Sequence, residues 1–285
     1  MTNACRPSFH GATVLSNTLI AERTWRVEIQ VPELARISQP GQFFMVRLPG
    51  RTDPLLGRPF ALCDVLPDQS GIAIVHMVVG RVTGLLANIQ PGDPLEIWGP
   101  LGQRFPEPVA GARRVALVAG GIGQTPFLAH VRELLGSQGF GGHAPRRRVE
   151  TVDFVYGART ANLHAGVDSF RDAGAIVHLA TDDGSAGIHG RVTDVLSGLE
   201  KPDHVFGCGP EPMLHALAKQ CVAMGIPCHL SLETPMACGL GICYSCVVKV
   251  RDDTSASGWD YRRVCIDGPT FAATDLVDFV SADRG

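Results

Sequence analysis

Over the first hundred residues, apolar and polar positions alternate in short runs. Such runs at residues 24–31, 43–48, 71–79 and 94–98 are separated by the turn signals Gln39-Pro40-Gly41, Pro67-Asp68 and Pro91-Gly92-Asp93. A period of two predicts half-buried strands, and strands at this spacing predict a small antiparallel barrel. From Arg113 the pattern changes. The unbroken apolar run Val115-Ala116-Leu117-Val118-Ala119 predicts a strand buried on both faces. It leads into Gly120-Gly121-Ile122-Gly123-Gln124-Thr125-Pro126 and a helical stretch to about Leu135, with Thr125 expected as N-cap and Pro126 at the first helical position. Further strands are predicted at 152–156, 176–180 and 204–206, and helices at 161–173, 193–199 and 211–224. Alternating strand and helix is the signature of a doubly wound parallel sheet. Residues 136–148 read as a surface loop, with Arg146-Arg147-Arg148 on a solvated face. The expected division is a β-barrel domain over 1–108, a nucleotide-binding α/β domain over 109–226, and a small C-terminal region over 227–285. No repeat or low-complexity tract is present.

Composition narrows the class. The chain has 285 residues, 45% of them hydrophobic, with a mean hydropathy of +0.12, which suits two packed domains and excludes wholesale disorder. A net charge of −3 argues against a nucleic-acid binder and against a basic membrane-surface protein. No apolar run approaches the roughly 18 to 20 residues of a membrane span, and the stretch from Met1 to Leu15 lacks the pattern of a signal peptide. A soluble, cytoplasmic protein is expected. The 33 glycines and 20 prolines suit tight turns and close backbone approach to ligands. Hydrolytic chemistry has no support, since the chain has no G-x-S-x-G elbow, no H-E-x-x-H helix and no Walker loop.

The nine cysteines are unevenly placed, with four inside the 28 residues from Cys238 to Cys265. Their spacing, Cys238-x4-Cys243-x2-Cys246-x18-Cys265, is that of a plant-type [2Fe–2S] site. The small residues between them let backbone N–H groups turn toward a cluster and its sulfurs. Zinc is the competing reading, because four thiolates also make a tetrahedral site; buried structural thiols are a third. Zinc ribbons pair one C-x2-C with another, and this chain lacks that symmetry.

Two further loops carry candidate chemistry. Gly120-Gly121-x-Gly123-x-x-Pro126 follows a strand and opens a helix, where backbone amides favour a pyrophosphate, although such turns also occur for packing alone. Gly207-Cys208-Gly209-Pro210-Glu211-Pro212-Met213 ends another predicted strand ahead of a helix. In a doubly wound sheet both loops lie at the carboxyl edge, where ligands bind. Cys208 either faces that site or is a buried small hydrophobe. A nicotinamide gives two electrons together and a [2Fe–2S] centre takes one at a time, so a chain holding both needs a flavin between them. The barrel offers Arg58-Pro59-Phe60-Ala61-Leu62, whose arginine suits a pyrophosphate, and the turn Val78-Val79-Gly80-Arg81-Val82-Thr83-Gly84.

Together these residues resemble the ferredoxin–NADP reductase superfamily, an FAD-binding barrel followed by a nicotinamide-binding α/β domain. Within it, the whole chain is similar to the electron-transfer subunits of NAD-linked, two-subunit dihydroorotate dehydrogenases. The resemblance implies FAD contacts at Arg58, Pro59, Phe60, Ala61, Val75, His76, Met77, Val82 and Thr83. It implies NAD contacts at Gly120, Gly121, Gly123, Pro126, Cys208 and Gly209, with Cys208 as a positioning residue near the nicotinamide. Thr181-Asp182-Asp183-Gly184-Ser185 and Gly190-Arg191-Val192-Thr193 match a stretch typical of the same domain. The most specific match is Glu233-x-x-Met236-Ala237-Cys238-Gly239-x-Gly241-x-Cys243-x-x-Cys246, closed by Val264-Cys265-x-Asp267-Gly268-Pro269.

By that resemblance, a partner subunit oxidises dihydroorotate to orotate on its own FMN. Electrons then pass through the [2Fe–2S] cluster and FAD to NAD+, in an assembly of two copies of each subunit. No residue of this chain is expected to touch dihydroorotate. Two departures stand out. Ala61 occupies a position where the family commonly carries Ser or Thr, and His76 stands where many relatives carry an aromatic, unless it is an ordinary satisfied strand histidine. The nearest rivals are flavin–iron–sulfur subunits of a ferredoxin-dependent transhydrogenase, a sulfide dehydrogenase or a hydrogenase; some of these replace one cluster cysteine with aspartate. A zinc-stabilised interaction module or an iron–sulfur sensor is the non-enzymatic alternative.

Overall fold

In the computed structural model, which describes residues 7–280, the alternation of the first hundred residues builds one antiparallel sheet; Cys5 lies outside the described residues. Its strands are β1 (Ser8–Ala21), β2 (Thr24–Gln30), β3 (Phe43–Arg47), β4 (Arg58–Ala61), β5 (Asp64–Val65), β6 (Gly71–Met77) and β7 (Pro94–Leu101). They lie in the order β4-β3-β7-β1-β2-β6-β5, and β4 packs against β6 to give a barrel-like form. In β2 the period of two is plain. Val27 and Ile29 enter the core, while Arg26 and Glu28 pair on the other face at 3.4 Å. Strand β6 is buried on both faces, because Ile72 and Ile74 fill the barrel core and Ala73 and Val75 pack against the second domain. Two short helices, α1 (Pro32–Ile37) and α2 (Arg81–Leu86), fill connections between the strands.

The second sheet begins with β8 (Arg114–Gly120), β9 (Thr151–Ala158), β10 (Ile176–Thr181), β11 (Ile188–His189), β12 (His204–Cys208) and β13 (Cys228–Ser231). The hairpin β14 (Val247–Arg251) and β15 (Trp259–Arg263) forms a sheet of its own, and β16 (Thr270–Ala272) then adds antiparallel to β13. The order β11-β10-β9-β8-β12-β13-β16 is parallel up to β13. Helices α3 (Phe127–Leu135), α4 (Val167–Asp172), α5 (Val192–Gly198) and α6 (Glu211–Met224) flank it, and α7 (Val277–Val280) closes the described chain. The apolar run in β8 serves both faces. Val115, Leu117 and Ala119 pack with Phe127 and Val131 of α3, while Ala116 and Val118 pack with Val195 of α5 and Leu217 of α6.

Several elements differ from the sequence-based expectation. Strand β1 goes unpredicted because only Ala12 and Val14 along it are buried; its pairing with both β2 and β7 makes it a strand. The stretch 161–173 is one helical turn, Ala161–Leu163, followed by α4, and Gly166 between them takes a left-handed φ of 66°. Residues Gly121–Gln124 form a turn of 3-10 helix, so Thr125 is already helical and Pro126 is the N-cap of α3. Strands β13 to β16 also had no clear period in the sequence. In the loop over 136–148, Arg146 and Arg147 are exposed, but Arg148 is half-buried and pairs with Glu107 and with Glu133, the latter at 3.0 Å.

Candidate functional site

The strand order reverses at β8 and β12, since the chain leaves β8 in one direction and later returns to its other side. Ligands of open α/β sheets bind at such a switch point, beyond the carboxyl ends of the strands. Both loops singled out in the sequence lie there. They touch backbone to backbone: a Cβ on Gly123 would lie 2.3 Å from the Cys208 carbonyl oxygen, and one on Gly209 would lie 3.0 Å from the Gly120 amide nitrogen. Gly121 takes a φ of +55° and faces open space, so its backbone is free to approach a ligand.

A cavity of 870 Å³ opens over these loops. Its walls include Gly120, Gly121, Ile122, Arg159, Asp182, Arg191, Gly209, Pro210 and Met213. Gly123 does not reach it, being packed beneath Cys208. A second cavity of 530 Å³ lies between the sheets and gathers Arg58, Pro59, Phe60, Ala61, Val75, His76, Met77, Val82 and Thr83 from the first domain. Facing them are Thr125, Pro126, Cys208 and Ser231 of the second domain, with Glu233, Thr234, Pro235, Met236 and Pro269 from the segments that flank the cysteine cluster. Pro126 and Cys208 thus face this second cavity, while Gly120, Gly121 and Gly209 face the first.

The chemistry of the smaller cavity suits a large ring with polar edges. His76 is 2% exposed, stacks edge-on with Phe60 at 6.1 Å, and has no hydrogen-bond partner for either ring nitrogen. Burial pushes its pKa down to about 4, so the ring is neutral. Buried polar atoms without partners are rare and point to a ligand that satisfies them. Thr83 donates its hydroxyl hydrogen to the Gly80 carbonyl at 3.1 Å and accepts from the Val79 and Gly80 amides, which fixes the turn. The thiol of Cys208 is buried; burial first, and the charge of Glu233 second, push its pKa far up, so it stays protonated and is no nucleophile.

The cysteine loop completes the far wall. Trp98 donates from its indole nitrogen to the Cys238 carbonyl at 3.2 Å, and Gly239 sits so close that a Cβ would meet Met45 at 2.8 Å and Leu101 at 2.9 Å. Gly239, Gly241 and Tyr244 all take left-handed φ values, of 71°, 75° and 55°, which curls the loop around its sulfurs. The Leu240 amide donates to the Cys238 sulfur at 3.3 Å, and the Gly241 backbone hydrogen-bonds the Cys265 sulfur.

Among the described residues, no three side chains converge as for a single ion. Cys238 neighbours Cys243, and Cys246 neighbours Cys265. Four thiols brought together from this spacing fit a plant-type binuclear cluster. Ser245, through its hydroxyl and its amide, and then Cys238 lower the Cys243 pKa to about 6. Burial and then the neighbouring Cys246 raise that of Cys265 to about 12.

In the sequence Glu233 and Met236 stand only as parts of a motif, and nothing marks Ser231 or Ile122 as cavity walls. Their side chains are set by β13 and by the start of the 3-10 turn, elements with no clear period in the sequence. Solvent in the cavities reaches Glu233, yet the protein packed around it thins its hydration and raises its carboxyl pKa.

A barrel-like sheet and a switch-point sheet sharing one cavity, with a four-cysteine loop against it, define a flavin-dependent nicotinamide dinucleotide reductase of the ferredoxin–NADP reductase class. The comparisons agree. Residues 233–277 match the family model for the iron–sulfur cluster binding domain of dihydroorotate dehydrogenase B. The electron transfer subunits of dihydroorotate dehydrogenase B (NAD(+)) from Geobacillus kaustophilus (strain HTA426) and Bacillus caldolyticus are 40% and 39% identical, over 93% of this chain and 97% of each of theirs. A solved NADH-dependent reduced ferredoxin–NADP oxidoreductase superposes with a TM-score of 0.77 at 28% identity, over 93% of this chain and 88% of that one. The ferredoxin reductase of carbazole 1,9a-dioxygenase, at 21% identity and a TM-score of 0.66 over 80% of this chain and 70% of its own, shares the fold. The chain belongs to the family of dihydroorotate dehydrogenase B (NAD(+)) electron transfer subunits.

Proposed function

We propose that this chain carries electrons from a dihydroorotate-oxidising, FMN-containing catalytic subunit to NAD+, in pyrimidine biosynthesis. FAD and a [2Fe–2S] cluster supply the redox chemistry when bound, the flavin exchanging electron pairs and the cluster single electrons. The observation that carries this reading is the shared cavity. Its walls come from the barrel, from the dinucleotide loops and from the segment leading into Cys238, so all three regions meet within one pocket.

The roles of the residues follow from their placement. Arg58, Pro59, Phe60, Ala61, Val75, His76, Met77, Val82 and Thr83 hold the flavin. Gly120, Gly121 and Gly209 receive the dinucleotide, and Gly123 and Pro126 shape the turn beneath it. Cys208 orients the reacting rings while its thiol stays protonated. Cys238, Cys243, Cys246 and Cys265 hold the cluster. Met45, Trp98 and Leu101 pack against the cysteine loop and hold it to the barrel.

The functional regions are residues 1–108, 109–226 and 227–285, with β13 and β16 tying the third to the second sheet. Leu240, Ile242 and Tyr244 expose apolar surface beside the cluster, which supports docking of the catalytic subunit there, as two copies of each chain. Among the described residues no helix is long and apolar enough to cross a membrane, and we place the complex in the cytoplasm. The test is reconstitution. The chain mixed with a catalytic subunit should give dihydroorotate-dependent reduction of NAD+ that neither chain gives alone. NAD+ reduction unchanged by addition of this chain would contradict the assignment.

A further inference from the structure

The hairpin β14–β15 brings a cation to the cysteine loop. Arg263 ends β15 two residues before Cys265 and lies opposite Val247, the residue after Cys246, in the strand register. The next residue, Val264, donates its amide to the Cys246 carbonyl at 2.8 Å. The Arg263 guanidinium donates through Nη1 to the Gly241 carbonyl at 3.3 Å and lies over the Tyr244 ring, 5.6 Å from its centroid. Gly241 and Tyr244 stand on either side of Cys243 in the chain, and the Gly241 backbone also bonds the Cys265 sulfur. The cation is therefore held among the segments that carry Cys243, Cys246 and Cys265.

Arg262 supplies the contrast. Strand alternation turns it to the other face of β15, where it pairs with Asp260 at 2.6 Å and with Asp252 at 2.9 Å. Arg263 has its carboxylate partner, Asp267, at a longer 3.5 Å, and that carboxylate also accepts the Arg263 amide at 2.7 Å. The charge of Arg263 is thus less cancelled on the spot, and a half-buried guanidinium is only partly screened by solvent. Four thiolates make a [2Fe–2S] site anionic, and an electron taken from an outside donor adds further negative charge. A fixed cation beside the ligands favours that added charge. We propose that Arg263 raises the reduction potential of the cluster and so makes it a better electron acceptor. This rests on the cluster assignment above; Arg263 acts through the charge it holds beside the cysteines and is itself neither oxidised nor reduced.

The test is a redox titration of the holoprotein with FAD and cluster bound. Dithionite is the reductant, mediators are present, and the electron paramagnetic resonance signal of the reduced cluster is followed. Arg263→Gln should shift the one-electron equilibrium about tenfold toward the oxidised cluster, a fall of about 59 mV. Arg263→Met keeps an apolar stem without the charge and should fall alike, which serves if the glutamine variant fails to hold iron. Arg263→Lys keeps the charge and loses the planar fork, so it should stay within about threefold of wild type, or about 28 mV. Arg262→Gln removes the same charge from the other face and should stay within about twofold, or about 18 mV.

A wild-type potential in the glutamine or methionine variant would overturn the proposal, because the charge would then not reach the cluster. An equal fall in Arg263→Lys would overturn it too, since the guanidinium would then act only by bracing the loop. So would an equal fall in Arg262→Gln, where any cation on the hairpin would serve. A wild-type protein that gives no [2Fe–2S] resonance on reduction would instead bring down the cluster assignment, and this proposal with it.

Discussion

Gly123→Ala isolates the contact between the two switch-point loops. The added Cβ would lie 2.3 Å from the Cys208 carbonyl oxygen, 2.5 Å from its carbon and 2.7 Å from the Gly209 Cα. Ordinary contact needs about 3.4 Å, so the loops must part by about 1 Å. Every atom in the way is backbone, and no flexible side chain can swing aside. Overpacking of this kind costs about 1–3 kcal/mol, which lowers the melting temperature by a few degrees in a chain of this length. The kinetic effect should be larger, because misplacing reacting groups by about 1 Å costs on the order of 100-fold.

Anaerobic stopped-flow mixing with NADH, following the flavin bands, should therefore show reduction slowed by about 10- to 100-fold. FAD and iron content should be unchanged, since the barrel walls and the cysteine loop are untouched. Gly121→Ala is the comparison. It has open space around its Cβ but a φ of +55°, so it should cost about 1–2 kcal/mol of backbone strain without parting the loops, and slow the reaction less. Wild-type flavin reduction in Gly123→Ala, at wild-type stability, would refute the claim that the two loops form one site.

Other consequences are equally direct. Cys246→Ser should abolish the iron–sulfur absorbance while the flavin still binds and is still reduced by NADH; loss of flavin binding as well would mean that the cysteine loop is structural support for the barrel. Ala61 stands where the family commonly carries a hydroxyl, and a backbone amide is expected to substitute for it. Ala61→Ser should accordingly change flavin reduction by NADH less than about tenfold, or ~1.4 kcal/mol, and a larger acceleration would refute the substitution.

His204 accepts from the Val109 amide at 3.2 Å through Nδ1, so its Nε2 carries the proton and donates to His229 at 2.8 Å. Burial first, and then the neighbouring His229, depress its pKa from 6.5 to about 4. Between those values the unfolded chain binds the proton and the folded chain does not, so stability falls as the pH drops through that window. Urea unfolding at pH 7, 5.5 and 4.5 should show that loss, and His204→Gln should reduce the slope by about one proton; an unchanged slope would contradict the assignment.

Much of the candidate site is legible in the sequence alone. The cysteine spacing is local chemistry, and an unbroken run such as 115–119 announces a strand buried on both faces. The helix at about 211–224 is legible in the sequence and lies at Glu211–Met224. Tertiary context decided the rest. Strand β1 has too few buried positions to show a period and exists because two neighbours supply its hydrogen bonds. Strands β13 and β16 are a few residues each and gain their identity from the sheet they extend. Glu233 reads in sequence as the first letter of a cluster motif, and only its place on the walls of both cavities sets it apart. Arg148 looks like one of three solvated arginines until Glu107 and Glu133 are brought to it.

The central claim is that nicotinamide, flavin and cluster share one electron path within this chain. An anaerobic absorption spectrum of the purified protein, repeated after adding one equivalent of NADH, tests it most directly. The account predicts flavin bands with a broad iron–sulfur shoulder, and bleaching of both on addition of NADH. A colourless protein that holds zinc and takes up neither flavin nor iron on reconstitution would contradict it.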